Sequence, residues 1–121
     1  MVHFAIASAL KKIPAAFYRT ATGTEPVRDW LKTLSRADRR EIGQDIATVE
    51  YGWPVGMPVC RSLAHGLWEV RSDLTNNRTA RVLFCVVRSN LVLLHGFIKK
   101  TEKTPDKDLS LARKHMREIE S

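Results

Sequence analysis

Apolar residues recur along this chain with two periods, and the change from one to the other divides it. Val27, Trp30, Leu31 and Leu34 fall at i, i+3, i+4 and i+7 behind Pro26, which predicts a helix with one buried face. A second helix is expected to open at Ser35-Arg36-Ala37-Asp38, a start similar to a capping box with Asp in place of the usual Glu. Ile42, Ile46 and Val49 form its stripe, and Gly52 with Pro54 ends it. The two helices are nearly contiguous and are expected to form an antiparallel hairpin. After the loop Gly52 to Pro58 the period drops to that of strands. Strands are predicted over 59–63, 67–72, 79–87 and 91–98, divided by Ala64-His65-Gly66, Asn76-Asn77 and Ser89-Asn90. A short strand over 15–20 precedes the first helix. A last helix begins at Thr104-Pro105, with Leu109, Ala112, Met116 and Ile119 as its stripe and Asp106 and Asp108 near its positive end.

The order β-α-α-β-β-β-β-α reads as an α+β domain, an antiparallel sheet with helices on one face. Short loops favour a meander over parallel strands, which need crossovers. The strands over 79–87 and 91–98 are apolar on both faces near their centres and are expected mid-sheet, with something packed on each side. A length of 121 residues suits a single domain over 1–121, with 1–14 as an N-terminal extension. His3 to Leu10 is apolar, but Lys11 and Lys12 follow it instead of preceding it, so it reads as a helical lead-in and not a signal peptide. The longest apolar run, Leu91 to Ile98, is far short of a membrane span and contains His95 and Gly96. Cys60 and Cys85 show no metal-like spacing and no disulfide framework, which points to a reducing cytoplasm.

Charge changes the picture through its distribution. The formal net charge is +7, and residues 59–100 hold seven basic side chains against only Glu69 and Asp73. Residues 101–121 are balanced, with five of each sign. An anionic partner follows from that excess. Alternation along the strands puts Leu67, Glu69 and Arg71 on one face and Trp68 and Val70 on the other. Ala80, Val82, Phe84 and Val86 form the side expected to meet the helices, with Arg81 opposite. In the last strand, Leu91, Leu93, His95 and Phe97 are expected to share a face that Lys99 continues. Arg71, Arg81, His95 and Lys99 would then converge on a helix-free surface, with Lys100 at its flank.

Such a cluster suits a phosphate. Arginine binds it bidentately and stays protonated. RNA cleavage further needs a base for the 2′-hydroxyl proton, an acid for the leaving 5′-oxygen and cations for the growing charge. Crowding among cations lowers a lysine toward usefulness as a base, and a histidine needs less adjustment. Plainer roles compete for the same residues. Glu69 could simply neutralise Arg71, His95 could be a hydrogen-bonded structural histidine, and Lys99-Lys100 a solvated strand exit. Trp30 and Trp68 fit the core. Trp53, in the Pro/Gly loop, could stack on a base, although the core is the expected place for all three. His3, His65, His95 and His115, with the two cysteines, have no metal-ligand spacing, so no metal or other cofactor is expected.

The runs Leu67-Trp68-Glu69-Val70-Arg71-Ser72-Asp73, Ala80-Arg81-Val82-Leu83-Phe84 and Leu93-Leu94-His95-Gly96-Phe97-Ile98-Lys99-Lys100-Thr101 resemble the phage-derived Gp49-like branch of the RelE/ParE toxin superfamily, which includes HigB-type toxins. Phe17-Tyr18-Arg19-Thr20, Glu25-Pro26-Val27, Gly52-Trp53-Pro54 and Lys103-Thr104-Pro105 extend the likeness over about residues 15 to 120. The resemblance implies a RelE-like (microbial RNase-like) fold, an antiparallel sheet with two N-terminal helices and a C-terminal helix. It implies the toxin of a type II toxin–antitoxin system that cleaves mRNA in the ribosomal A site without metal. Arg71 and Arg81 fall where RelE-like enzymes carry phosphate-binding arginines, His95 on the branch's His-x-Phe-x-Lys-Lys pattern, and Lys99 and Lys100 near the basic residues ending the last strand. These five are the catalytic candidates. Arg61, Arg78 and Lys103 are expected to meet RNA or the ribosome.

Two departures stand out. RelE-like enzymes often use a tyrosine near the C-terminal helix, whereas Tyr18 and Tyr51 are the only tyrosines here. Lysines on an early helix have no clear counterpart among Lys32, Arg36, Arg39 and Arg40. The implied partners are a helix-turn-helix antitoxin (HigA-like) in a hetero-oligomer, mRNA and rRNA, with no membrane. The alternatives are a ParE-like inhibitor of DNA gyrase, acting by binding alone, and a basic phage module that binds nucleic acid harmlessly.

Overall fold

The computed structural model describes residues 12–99 and 104–120. The expected lead-in over 1–14 thus lies outside the described residues up to Lys11. Residues 12–14 belong to the packed domain, since Ile13 is buried and the Lys12 and Ile13 amides both donate to the Glu50 carbonyl. Along the chain run β1 (Ala15–Phe17), α1 (Pro26–Lys32), α2 (Arg36–Gly52), β2 (Cys60–Ser62), β3 (Trp68–Asp73), β4 (Thr79–Val87), β5 (Asn90–Lys99) and α3 (Asp106–Glu120).

Local chemistry accounts for these boundaries. Pro26 sits in the first turn of α1, where a missing N–H costs nothing. The Ser35 side chain caps α2 by accepting from the Asp38 amide at 3.2 Å. The Asp38 carboxylate takes its main partner from the turn before β4, where Arg78 donates to both of its oxygens. Asn76 and Asn77, both at positive φ, turn β3 into β4. The next turn is made by Arg88 and Ser89, one residue earlier than the sequence suggests, and Asn90 already belongs to β5.

The five strands lie in the order β1-β5-β4-β3-β2. From β2 to β5 they form the expected antiparallel meander. β1 departs from that pattern by pairing in parallel with β5, Ala15 opposite Leu91 and Phe17 opposite Leu93. The intervening 70-odd residues, with both helices, supply the crossover that a parallel pair requires.

Both faces of the sheet are covered. Val27 of α1 and Ile42, Ile46 and Val49 of α2 pack with Val70, Val82, Phe84, Leu91 and Leu93. On the opposite face Leu67, Leu83, Cys85 and Leu94 pack with Tyr18 and with Ala112 of α3. This corrects the expectation of helices on one face only, and it explains why β4 and β5 are apolar on both sides. The face carrying the cations is therefore partly roofed by α3.

A β-bulge makes the second correction. Leu83 pairs with His95 but Phe84 pairs with Leu93, leaving Leu94 as the extra residue. Alternation reverses across it. Leu91 and Leu93 face α1 and α2, while Leu94, His95 and Phe97 face α3, so these residues do not share the single face that strict alternation predicts. Among the described residues, no helix is long and apolar enough to cross a membrane.

Candidate functional site

The strand registers fix which charges meet. Arg61 of β2 lies opposite Glu69 of β3, and Arg71 of β3 lies opposite Arg81 of β4. All four side chains point to the face of α3. Two like charges in register repel, so this pair needs compensation. Glu69 supplies it. One carboxylate oxygen, Oε1, accepts from Arg81 Nη1 and forms an ion pair with Arg61 Nη2 at 2.8 Å, and Oε2 accepts from the Thr104 hydroxyl at 3.2 Å. Glu69 is thus the partner of Arg61 and Arg81, not of Arg71, which instead donates from Nε to Asp73 at 3.1 Å.

Burial divides these groups. Glu69 and Arg81 are out of water, with side chains 1% and 5% exposed, whereas Arg61 and Arg71 reach solvent. Burial weakens the hold of Arg81 on its proton, Glu69 opposes that, and Arg61 and Arg71 add to it. The guanidinium nevertheless remains a cation. Beneath it on β2, burial and then the Glu69 charge push the Cys60 thiol up to about 11. Cys60 and Cys85 sit in cores on opposite faces and form no disulfide.

Arg61, Glu69, Arg71 and Arg81 line a small pocket together with Met57, Pro58 and Val59. The loop between α2 and β2 forms its apolar lip, on which Met57 is largely exposed. Trp53 of the same loop is turned the other way. It packs edge-on against Trp68 and Phe84, with ring centroids 5.0 and 5.6 Å apart, so it lies in the core and not on a base-stacking surface.

The remaining candidates are placed elsewhere. His95 shares a cross-strand row with Glu69 and Leu83, but the fully buried Leu83 stands between the two polar side chains. Phe97, stacked on His95 with centroids 5.7 Å apart, occupies the row of Arg81. His95 Nε2 lies 2.6 Å from Oδ1 of Asp108 on α3. Lys99 continues the face of His95 and Phe97, opposite Thr79. Arg78 is on the far side of its turn, where Nη1 and Nη2 donate to the two Asp38 oxygens at 2.7 and 2.9 Å. Lys100 and Lys103 lie outside the described residues. Three arginines therefore share one pocket, and His95 belongs to a neighbouring site under α3.

Sequence reasoning undervalued three of these groups. Glu69 stood out only as a possible neutraliser, Thr104 as the start of a helix and Asp108 as a complement to its dipole. Glu69, between Trp68 and Val70 and one of only two acidic residues in the basic stretch 59–100, is the signal that could have been read further, because a buried carboxylate demands partners. Among the described residues, no group of three or more His, Cys, Asp or Glu could hold a metal ion.

A model of the family described as phage-derived protein Gp49-like (DUF891) matches residues 29–117. The match spans the arginine pocket, His95 and most of α3. No curated protein matches the chain.

Proposed function

The chain belongs to the Gp49-like family of phage-derived proteins, and from that premise we propose that it cleaves mRNA on the ribosome as a metal-independent endoribonuclease. The family is one of RelE/HigB-like toxins associated with toxin–antitoxin systems, and such toxins have an antitoxin partner. The partner in this reading is a small HigA-like helix-turn-helix antitoxin in a cytoplasmic hetero-oligomer. One observation carries the reading: three arginines line one pocket, two of them on a single buried carboxylate, and it is open at Arg61 and Arg71.

The chemistry follows from the groups required. The RNA 2′-hydroxyl attacks the adjacent phosphorus, its proton passing to a base as the P–O5′ bond breaks and an acid protonates O5′. The products are a 2′,3′-cyclic phosphate and a 5′-hydroxyl. In this reading Arg61 and Arg71 hold the phosphate and stabilise the charge that grows on it. Arg81 completes the field from below. Proton transfer falls to His95, Lys99 or Lys100. Arg78, bound to Asp38, has the weakest claim to RNA among the eight candidates.

A second reading has its own support. Arg61, Arg71, Arg81 and His95 each have a carboxylate partner, and Leu83 and Phe97 separate His95 from the pocket. A toxin that inhibits DNA gyrase by binding alone needs no such chemistry. Mapping RNA 5′-hydroxyl ends after induction separates the two readings. Codon-phased ends that vanish in Arg71→Ala are expected; uncut mRNA together with DNA-damage signalling would overturn the nuclease. Arg71 is the better probe than Arg81, because truncating the buried Arg81 would strand Glu69 and unsettle the fold.

A further inference from the structure

Glu69 is expensive to bury. A carboxylate 1% exposed and a guanidinium 5% exposed lose nearly all their hydration, and an apolar pair of similar volume would serve stability as well or better. The neighbourhood adds to the cost: Arg71 stands in register with Arg81, and the Nε atoms of Arg61 and Arg81 are buried without a hydrogen-bond partner among the described residues. What the arrangement yields is geometry. One oxygen held between two Nη groups ties the tips of both guanidiniums to one point, and the Thr104 hydroxyl, on the approach to α3, holds the other oxygen of the carboxylate. Glu69 and the exposed Asp73 set two negative charges against the three arginines, which leaves the cluster cationic by one.

We propose that Glu69 is a positioning residue, whose carboxylate, held by Thr104 and by the buried Arg81, sets the solvent-reaching Arg61 guanidinium in the orientation that grips the scissile phosphodiester. The proposal rests on the nuclease reading above. Glu69 touches no substrate. It acts through the arginines, and its loss would leave them splayed by mutual repulsion, more strongly charged as a set but misdirected.

This makes an unusual demand of the Glu69→Gln variant: tighter binding with slower cleavage. The pocket gains one positive charge, so affinity for a single-stranded RNA oligonucleotide rises and the slope of log K against log salt steepens by about one. Misplaced guanidiniums lower kcat on ribosomes programmed with a defined mRNA, by about 10²-fold. Glu69→Asp, which keeps the charge, is expected to recover part of kcat. A purely structural role would weaken binding and cleavage together. Cleavage by Glu69→Gln at the parental rate, or weaker RNA binding with an unchanged salt slope, would overturn the proposal. Should that variant fail to fold, Thr104→Val removes only the bond to Oε2; it must lower kcat at an unchanged unfolding midpoint, and parental kcat would count equally against the idea. Failure of the parent protein to cut mRNA is a separate result, which removes the nuclease reading itself.

Discussion

The indole of Trp30 on α1 lies flat against Gly96 of β5, so close that a Cβ at position 96 would overlap its Cε3 and Cζ3 atoms. The glycine inside an otherwise branched and aromatic strand is thereby explained: it is the seat that lets α1 approach the sheet. Gly96→Ala is expected to destabilise the domain by about 1–3 kcal/mol through overpacking. Urea unfolding measures the loss. Trp30→Leu, which vacates the seat, should make the second substitution nearly free, and additive losses in the double variant would refute the contact.

The Asp38–Arg78 pair predicts an acid limb of stability. The Arg78 bond holds the Asp38 carboxyl below its ordinary value, more than offsetting the effect of burial. A folded-state value below the unfolded one means that the unfolded chain binds the extra proton first. The contribution is therefore complete above the ordinary carboxylate value of about 3.9 and fades as pH falls through the lower folded value. Asp38→Asn should lower the urea midpoint at neutral pH and flatten its decline in acid. An unchanged acid limb would show that other carboxylates govern it.

Tyr18 predicts the alkaline counterpart. Its ring is buried, stacks on His115 with centroids 4.5 Å apart, and its hydroxyl donates to Glu118. Burial first, and Glu118 second, push the phenol up to about 12. Here the folded value is raised, so the stabilisation is full below the ordinary value of about 10 and disappears as pH climbs toward about 12. Ultraviolet titration of tyrosinate should show a late step that Tyr18→Phe abolishes. A single step near 10 in the folded parent protein would contradict this environment.

Arg88 and Ser89 occupy a two-residue turn with φ values of 50° and 66°, a region that side chains other than Asn and Asp rarely enter. Replacing them by Asn-Gly should relieve the strain and stabilise the hairpin of β4 and β5 by about 1 kcal/mol. Thermal unfolding gives the comparison. A lower midpoint would mean that Arg88 contributes more through its side chain than its backbone costs.

Much of the fold is legible in the sequence because its signals are local. The order of elements, the Ser35 cap, the Asn76-Asn77 turn and the central place of β4 and β5 all follow from propensity and period. What escapes is non-local. Nothing near Ala15 announces a parallel partner at Leu91, and nothing near Ala112 says that α3 covers the face opposite α1 and α2. The bulge at Leu94 is one residue long, yet it sends Leu93 and His95 to opposite sides. The site shows the same division. Alternation correctly brings Arg71 and Arg81 together, but their ion-pair partners depend on register across strands and on the approach to α3. Leu83 and Phe97, which stand between the arginines and His95, look like ordinary core residues in the sequence.

The parallel docking of β1 has a consequence for synthesis. Strands β2 to β5 zip together from neighbours in the chain, but Ala15 must wait for Leu91 to leave the ribosome before the sheet can close. A newborn chain therefore carries β1 without its partner while β2 to β5 are being made. The edge of β5 that β1 covers stays bare until β1 returns, so among the described strands the one made first is the last to be seated.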